Sequence, residues 1–144
     1  GEIVRVTNLT ANPLPFSLFE YDDFDLNGTA GGDSAELVNT STIRQWDGLT
    51  NALVGSTPPF NAWEIDAWPT ILAKLNDGNV DNLSNSTSPS GPGDLAFAMQ
   101  WNRTIAPRGN FLMSKNKLIE VVPEPATIAV FGLGLAALLR RRRK

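Results

Sequence analysis

Two prolines, an uncharged run and five cations close this chain and divide it into two objects. The order is Val122-Pro123-Glu124-Pro125, then 14 largely apolar residues from Ala126 to Leu139, then Arg140-Arg141-Arg142-Arg143-Lys144. Proline has no backbone N–H and disfavours helix in the residue before it, so the pair insulates the tail from the preceding fold. The run is shorter than the roughly 20 residues of a full membrane crossing, and at about 1.5 Å rise per residue it covers about two-thirds of the hydrocarbon core. Arginine stems can lie along acyl chains and extend that reach. The run has no polar face, unlike a helix packed on a core. It is therefore expected to be a single transmembrane helix, with Arg140, Arg141, Arg142 and Arg143 as a basic stop on the cytoplasmic side. Residues 1–122 would then lie outside the cytoplasm as one domain, and 123–144 would act as an address.

Charge must be read separately for the two parts. Residues 1–122 hold seven Lys/Arg against fourteen Asp/Glu, a net charge of −7, while the whole chain carries −3. An acidic body argues against nucleic acid and anionic lipid as ligands, since both need a cationic face. There is no cysteine and no histidine. Disulfide frameworks, thiol catalysis, Ser-His-Asp catalysis and histidine zinc sites are thereby excluded. About 122 residues suffice for one domain with a modest core.

The body reads as short strands separated by turn residues. Glu2–Thr7 is rich in β-branched residues. Leu14–Tyr21 is a second strand, Ala35–Trp46 a third, and Leu53-Val54 part of a short fourth. Pro69–Leu75, with Pro69 at the first helical position and Asn76-Asp77-Gly78 at the end, has the start and stop signals of a two-turn helix. Residues 84–93 read as a loop on composition. Asp94–Trp101 alternates, with Leu95, Phe97 and Met99 on one face. Phe111–Val122 is a strand pair or one long strand. The expectation is an all-β fold, an antiparallel β-sandwich with a short helical insert. Gly1-Glu2-Ile3-Val4 opens directly in a strand pattern with no signal peptide before it, so the sequence reads as a mature or truncated form.

Three constellations bear on chemistry. Asp23-Phe24-Asp25-Leu26-Asn27-Gly28 has the oxygen spacing that opens a calcium loop, with Asp33 as a later carboxylate; position twelve is Ser34, so the bidentate glutamate is missing. The other reading is a strand running into a Gly-rich turn. Trp46, Trp63, Trp68 and Trp101 are many for this length. Tryptophan is most often core, but Trp63 and Trp68 flank Glu64 and Asp66, an arrangement that also suits a sugar platform. In a strand Glu64 and Asp66 share a face, which leaves a hydrolase pair as a third reading. Apart from calcium, no cofactor is indicated.

The tail resembles the PEP-CTERM sorting signal of Gram-negative bacteria. Pro123, Glu124 and Pro125, the apolar run and the arginine cluster carry the resemblance. It implies recognition by an exosortase, a transpeptidase-like membrane enzyme, with cleavage near the triplet. It further implies export through an inner-membrane intermediate to the cell surface or matrix, in association with extracellular polysaccharide or biofilm. The expectation is a non-enzymatic exported surface or matrix protein. The alternative is a carbohydrate-binding module using surface tryptophans.

Overall fold

The computed structural model describes residues 1–88 and 91–122. Nine strands, one short helix and one 3-10 turn follow one another: β1 Glu2–Thr7, β2 Leu14–Asp23, the 3-10 turn Leu26–Gly28, β3 Ser34–Asn39, β4 Thr42–Asp47, β5 Thr50–Thr57, β6 Ala62–Ala67, α1 Thr70–Leu75, β7 Ser86–Ser88, β8 Leu95–Ile105 and β9 Asn110–Val121. The all-β expectation holds. The strands form a five-stranded sheet in the order β1-β9-β5-β4-β3 and a four-stranded sheet in the order β2-β8-β6-β7. All pairings are antiparallel except β6 with β7, which is parallel.

The two sheets face each other across one apolar core. Ala35, Ile43, Val54 and Met113 from the first meet Ile65, Leu95, Phe97, Met99 and Trp101 from the second. Alternation along each strand supplies these residues, since side chains two apart share a face. Trp101 is fully buried, donates its indole N–H to the Pro58 carbonyl at 2.9 Å and meets Phe60 edge-on at 6.2 Å. β8 is buried on both faces. Its outward Ala98 lies in a second cluster with Ala62, Ile71 and Leu83, which α1 and the following loop press onto the sheet. Small outward residues let the helix approach; a helix of six residues is held by this packing rather than by its own propensity.

Several boundaries differ from the sequence expectation. The third strand is a hairpin, β3 and β4, turned at Thr40-Ser41 with the Ser41 N–H donating to Asn39 Oδ1 at 2.8 Å. β5 is a full strand rather than a two-residue fragment, and the composition-based loop contains β7. The last segment is one long strand, because β9 is paired on both sides, with β1 along its first half and β5 along its second. Lys115 and Lys117 on β9 reach Glu20 and Asp22 on β2, so an ion network links the two sheets at one side. Lys115 also meets Glu2 at 3.0 Å. Burial alone would lower the Lys115 pKa, but Glu20 and Glu2 raise it above its ordinary value. Among the described residues no helix is long and apolar enough to cross a membrane. The expected transmembrane helix, the Pro123-Glu124-Pro125 triplet and Arg140–Arg143 lie outside the described residues.

Candidate functional site

Three strand ends meet at one end of the four-stranded sheet. β2 ends at Asp23 and continues through Asp25 into the 3-10 turn, β8 is entered through Asp94, and β6 leaves through Trp68. These strands are neighbours, with Asp23 opposite Ala96 and Ala67 opposite Leu95, so their ends fall side by side. The Trp68 N–H donates to the Asp94 carbonyl at 2.9 Å. On the other side Asp33 and Gly93 exchange backbone hydrogen bonds of 3.0 and 2.9 Å. Gly91, at φ +117°, permits that approach: a Cβ there would lie 2.5 Å from the Asp33 carbonyl oxygen.

The result is a cleft of about 320 Å³ lined by Asp23, Asp25, Ala30, Trp68 and Asp94. Carboxylate oxygens of the three aspartates lie within 4.8 Å of one another. Partial burial raises the Asp23 pKa, with Asp94 and Asp25 adding to it; the Tyr21 hydroxyl, donating at 3.2 Å, partly offsets the rise. Such a group offers acceptors to a hard cation or to hydroxyl donors. Three carboxylates supply only part of the roughly six to eight oxygens that calcium takes, so a cation here would complete its shell from water or ligand. Trp68 is 49% exposed and gives the cleft an aromatic wall.

The calcium loop read from the sequence is not assembled. Asp23 and Asp25 come together, but Asn27 and Asp33 turn elsewhere. Asn27 Nδ2 donates to the Asp47 carbonyl at 3.0 Å and to Asp47 Oδ2 at 3.1 Å, while its Oδ1 accepts from the Thr50 hydroxyl. Both ends of that amide are spent on the β4–β5 hairpin. Asp33 is 1% exposed and points into the core, where its Oδ2 accepts from Gln45 Nε2 at 2.9 Å. Its Oδ1 and the Gln45 Oε1 are buried without partners. Burial foremost, then Asp47, Asp25 and Asp94, push the Asp33 pKa up to about 6, against the hydrogen bond from Gln45. Asp94 is the residue that sequence reasoning missed. The pairing of β2 with β8 would have found it, since that register carries the start of β8 to the end of β2.

The tryptophans do not form a shared platform. Trp68 alone of the four is exposed; Trp63, at an inward position of β6, packs against the core. Trp46 is half-buried on the outer face of the five-stranded sheet beneath the Arg44 guanidinium, 4.6 Å from the ring centroid. The Glu64–Asp66 pair is also committed. Glu64 is buried, 2.8 Å from Lys74 Nζ, and accepts from the Ser84 N–H at 2.9 Å. Burial alone would raise its pKa, but Lys74 and Ser84 hold it below the ordinary range. A glycosidase acid needs the opposite shift. Asp66 Oδ1 accepts from the adjacent Ala67 N–H at 2.7 Å. A wider cleft of about 540 Å³ lies at the other end of β2 and β8, beside Phe16, Asp81 and Arg103. Its cation is already engaged, with Arg103 donating to the Pro59 carbonyl at 2.9 Å.

Beyond the last rung of β9 the sequence carries the proline triplet, the apolar run and the cations. The PEP-CTERM protein-sorting motif matches residues 121–144. This is a PEP-CTERM domain-containing protein. The PEP-CTERM motif marks the chain for export and membrane-associated sorting in bacteria, with processing by an exosortase. The match starts at Val121, the last residue of β9, and leaves the cleft and the core outside it. No curated protein and no solved structure matches the chain.

Proposed function

We propose that this chain is a non-enzymatic exported protein of a Gram-negative bacterium. Its β-sandwich, residues 1–122, serves as a structural or interaction module at the cell surface or in the extracellular matrix. Residues 123–144 are the removable address, held briefly in the inner membrane as a transmembrane helix. The observation that carries this is the sorting motif joined directly to the end of a closed β domain. The acidic, histidine-free and cysteine-free body supports it, because the residue types of most hydrolytic and redox centres are missing. On this reading the domain works in association with secreted polysaccharide or biofilm. Fractionation of cells with and without the exosortase tests the reading: the tail should be lost and the domain should leave the inner membrane only when the enzyme is present. An intact tail and an unchanged location in both strains would sink it.

A second reading is a carbohydrate-binding module, and the exposed Trp68 beside Asp23, Asp25 and Asp94 favours it. A sugar ring stacks its C–H face on an indole while carboxylates accept from its hydroxyls. Calcium bridging the triad to hydroxyls is part of this reading. Binding of host exopolysaccharide, measured with calcium and with a chelator, should fall at least tenfold in Trp68→Ala. Undiminished binding in that variant would remove Trp68 as the platform.

A further inference from the structure

Exposed aliphatic side chains concentrate at the end of the β5–β9 ladder. Ile119 and Val121 have the inward parity of Met113 and Lys115, yet they are 57% and 68% exposed. Phe24 packs against the core and meets the sheet at Lys117, whose Nζ lies 5.6 Å from its ring centroid; Ile119 and Val121 lie beyond that position. Leu118 and Val122 are exposed as well, and so is Leu49 in the β4–β5 turn. By alternation Ile119 and Val121 share one face of β9 and Leu118 lies on the other, so the ladder end is apolar on both faces; Thr50 pairs with Val121, Ala52 with Ile119, and the Val122 N–H donates to the Leu49 carbonyl at 2.8 Å.

This patch adjoins the sorting triplet with no spacer. Val121 is still paired with β5, Val122 is still hydrogen-bonded to the turn, and Pro123 follows by one peptide bond. The matched motif itself begins at Val121, inside the strand. An enzyme that grips residues 123–125 therefore meets the folded domain at once. Releasing the last rungs breaks ladder bonds to β5 and gains only a residue or two of reach. Any wider grip must rest on the end of the sheet. Apolar surface left in water at such a place marks an interaction site. Glu120 and Asp47 lie beside the patch, and the body carries −7, so anionic lipid is the poorer occupant.

We propose that the exosortase seats the folded domain on this apolar end, through Leu49, Leu118, Ile119, Val121 and Val122, when it engages Pro123-Glu124-Pro125. The proposal rests on the exosortase reading above and adds a docking surface outside the tail. Its test uses the full chain incubated with inner membranes of the host that contain the exosortase, with mass spectrometry of the C-terminus as readout. Leu49→Asp and Ile119→Asp lie outside the matched motif and should slow processing about tenfold at unchanged thermal midpoint. Ile3→Asp and Leu112→Asp, equally exposed aliphatics elsewhere, should process at the parent rate. A six-residue Gly-Ser spacer after Val122 should also slow processing, since it parts the surface from the triplet. Parent-rate processing of the Leu49 and Ile119 variants, or faster processing with the spacer, overturns the docking surface. An equal loss in the control pair does so too. So does parent-rate processing together with lost binding to protein-free vesicles of host lipid, which assigns the patch to the bilayer. Failure of the sorting reading is distinct: the parent chain itself would then be unprocessed in these membranes, or processed equally in membranes lacking the enzyme.

Discussion

Asp33→Asn should stabilise this domain at neutral pH and leave it nearly unchanged in acid. Asp33 is 1% exposed, one of its oxygens has no partner, and Asp47, Asp25 and Asp94 stand around it. Its pKa is lifted from 3.8 to about 6, mainly by burial. A raised carboxylate pKa means that the folded state holds its proton longer than the unfolded chain. Below about pH 3.8 both states are protonated and no difference arises. Between there and about pH 6 only the unfolded chain ionises, so stability falls as pH rises. Above about pH 6 the full cost remains, which for that interval is about 3 kcal/mol. Asparagine keeps the acceptor that Gln45 Nε2 uses and carries no charge. Urea unfolding followed by tryptophan emission, at several pH values from 3.5 to 7.5 in chelator, gives the difference between variant and parent. Titrating groups that do not act on Asp33, Glu64 among them, cancel in that difference. The variant should gain about 2–3 kcal/mol at pH 7.5 and converge with the parent near pH 3.5. A difference independent of pH, or a variant weaker at pH 7.5, would refute the reasoning.

Other perturbations separate the remaining parts. Lys74→Met should destabilise by about 2 kcal/mol, because it strips a buried Glu64 of its cation; the double variant Lys74→Met, Glu64→Leu should recover most of that loss in the same urea assay. Trp101→Ala should cost about 3–5 kcal/mol through a core cavity, whereas Trp68→Ala should stay within about 0.5 kcal/mol. Acrylamide should quench Trp68 and spare Trp101, which lifetime measurements on Trp68→Phe and Trp101→Phe check. Millimolar calcium should raise the thermal midpoint through the Asp23-Asp25-Asp94 group. Asp94→Asn should abolish that rise and Asn27→Ala should not; the reverse pattern would restore the loop read from sequence.

Some of this was legible before any coordinates. The helix at 70–75 declared itself through Pro69 in front and Asn76-Asp77-Gly78 behind. The inner face of β8 declared itself through Leu95, Phe97 and Met99. Its outer face did not, because alanine and glutamine give no sign that a helix covers them. The β3–β4 turn was hidden since Asn39-Thr40-Ser41 lacks glycine and proline, and β7 was hidden since Ser86-Thr87-Ser88 looks like loop. The four oxygens read from the sequence as one loop are not brought together, for a non-local reason. Spacing along Asp23 to Asp33 was right for a wrapped loop, but the hairpin claimed Asn27, the core claimed Asp33, and the third carboxylate, Asp94, came from the entrance of the neighbouring strand β8, far along the chain.

β9 lies between two partners, and the tail leaves from its end. Antiparallel ladder bonds run across the strands. A pull delivered through residue 122 therefore acts along β9 and loads the bonds to β5 in shear, many at a time, with those to β1 behind them. Peeling one bond after another, the weak mode of a sheet, would need a force directed sideways. The lysines of β9 that grip β2 tie the second sheet into the same strand. A domain held at a surface by this end would thus resist drag as one mechanical unit.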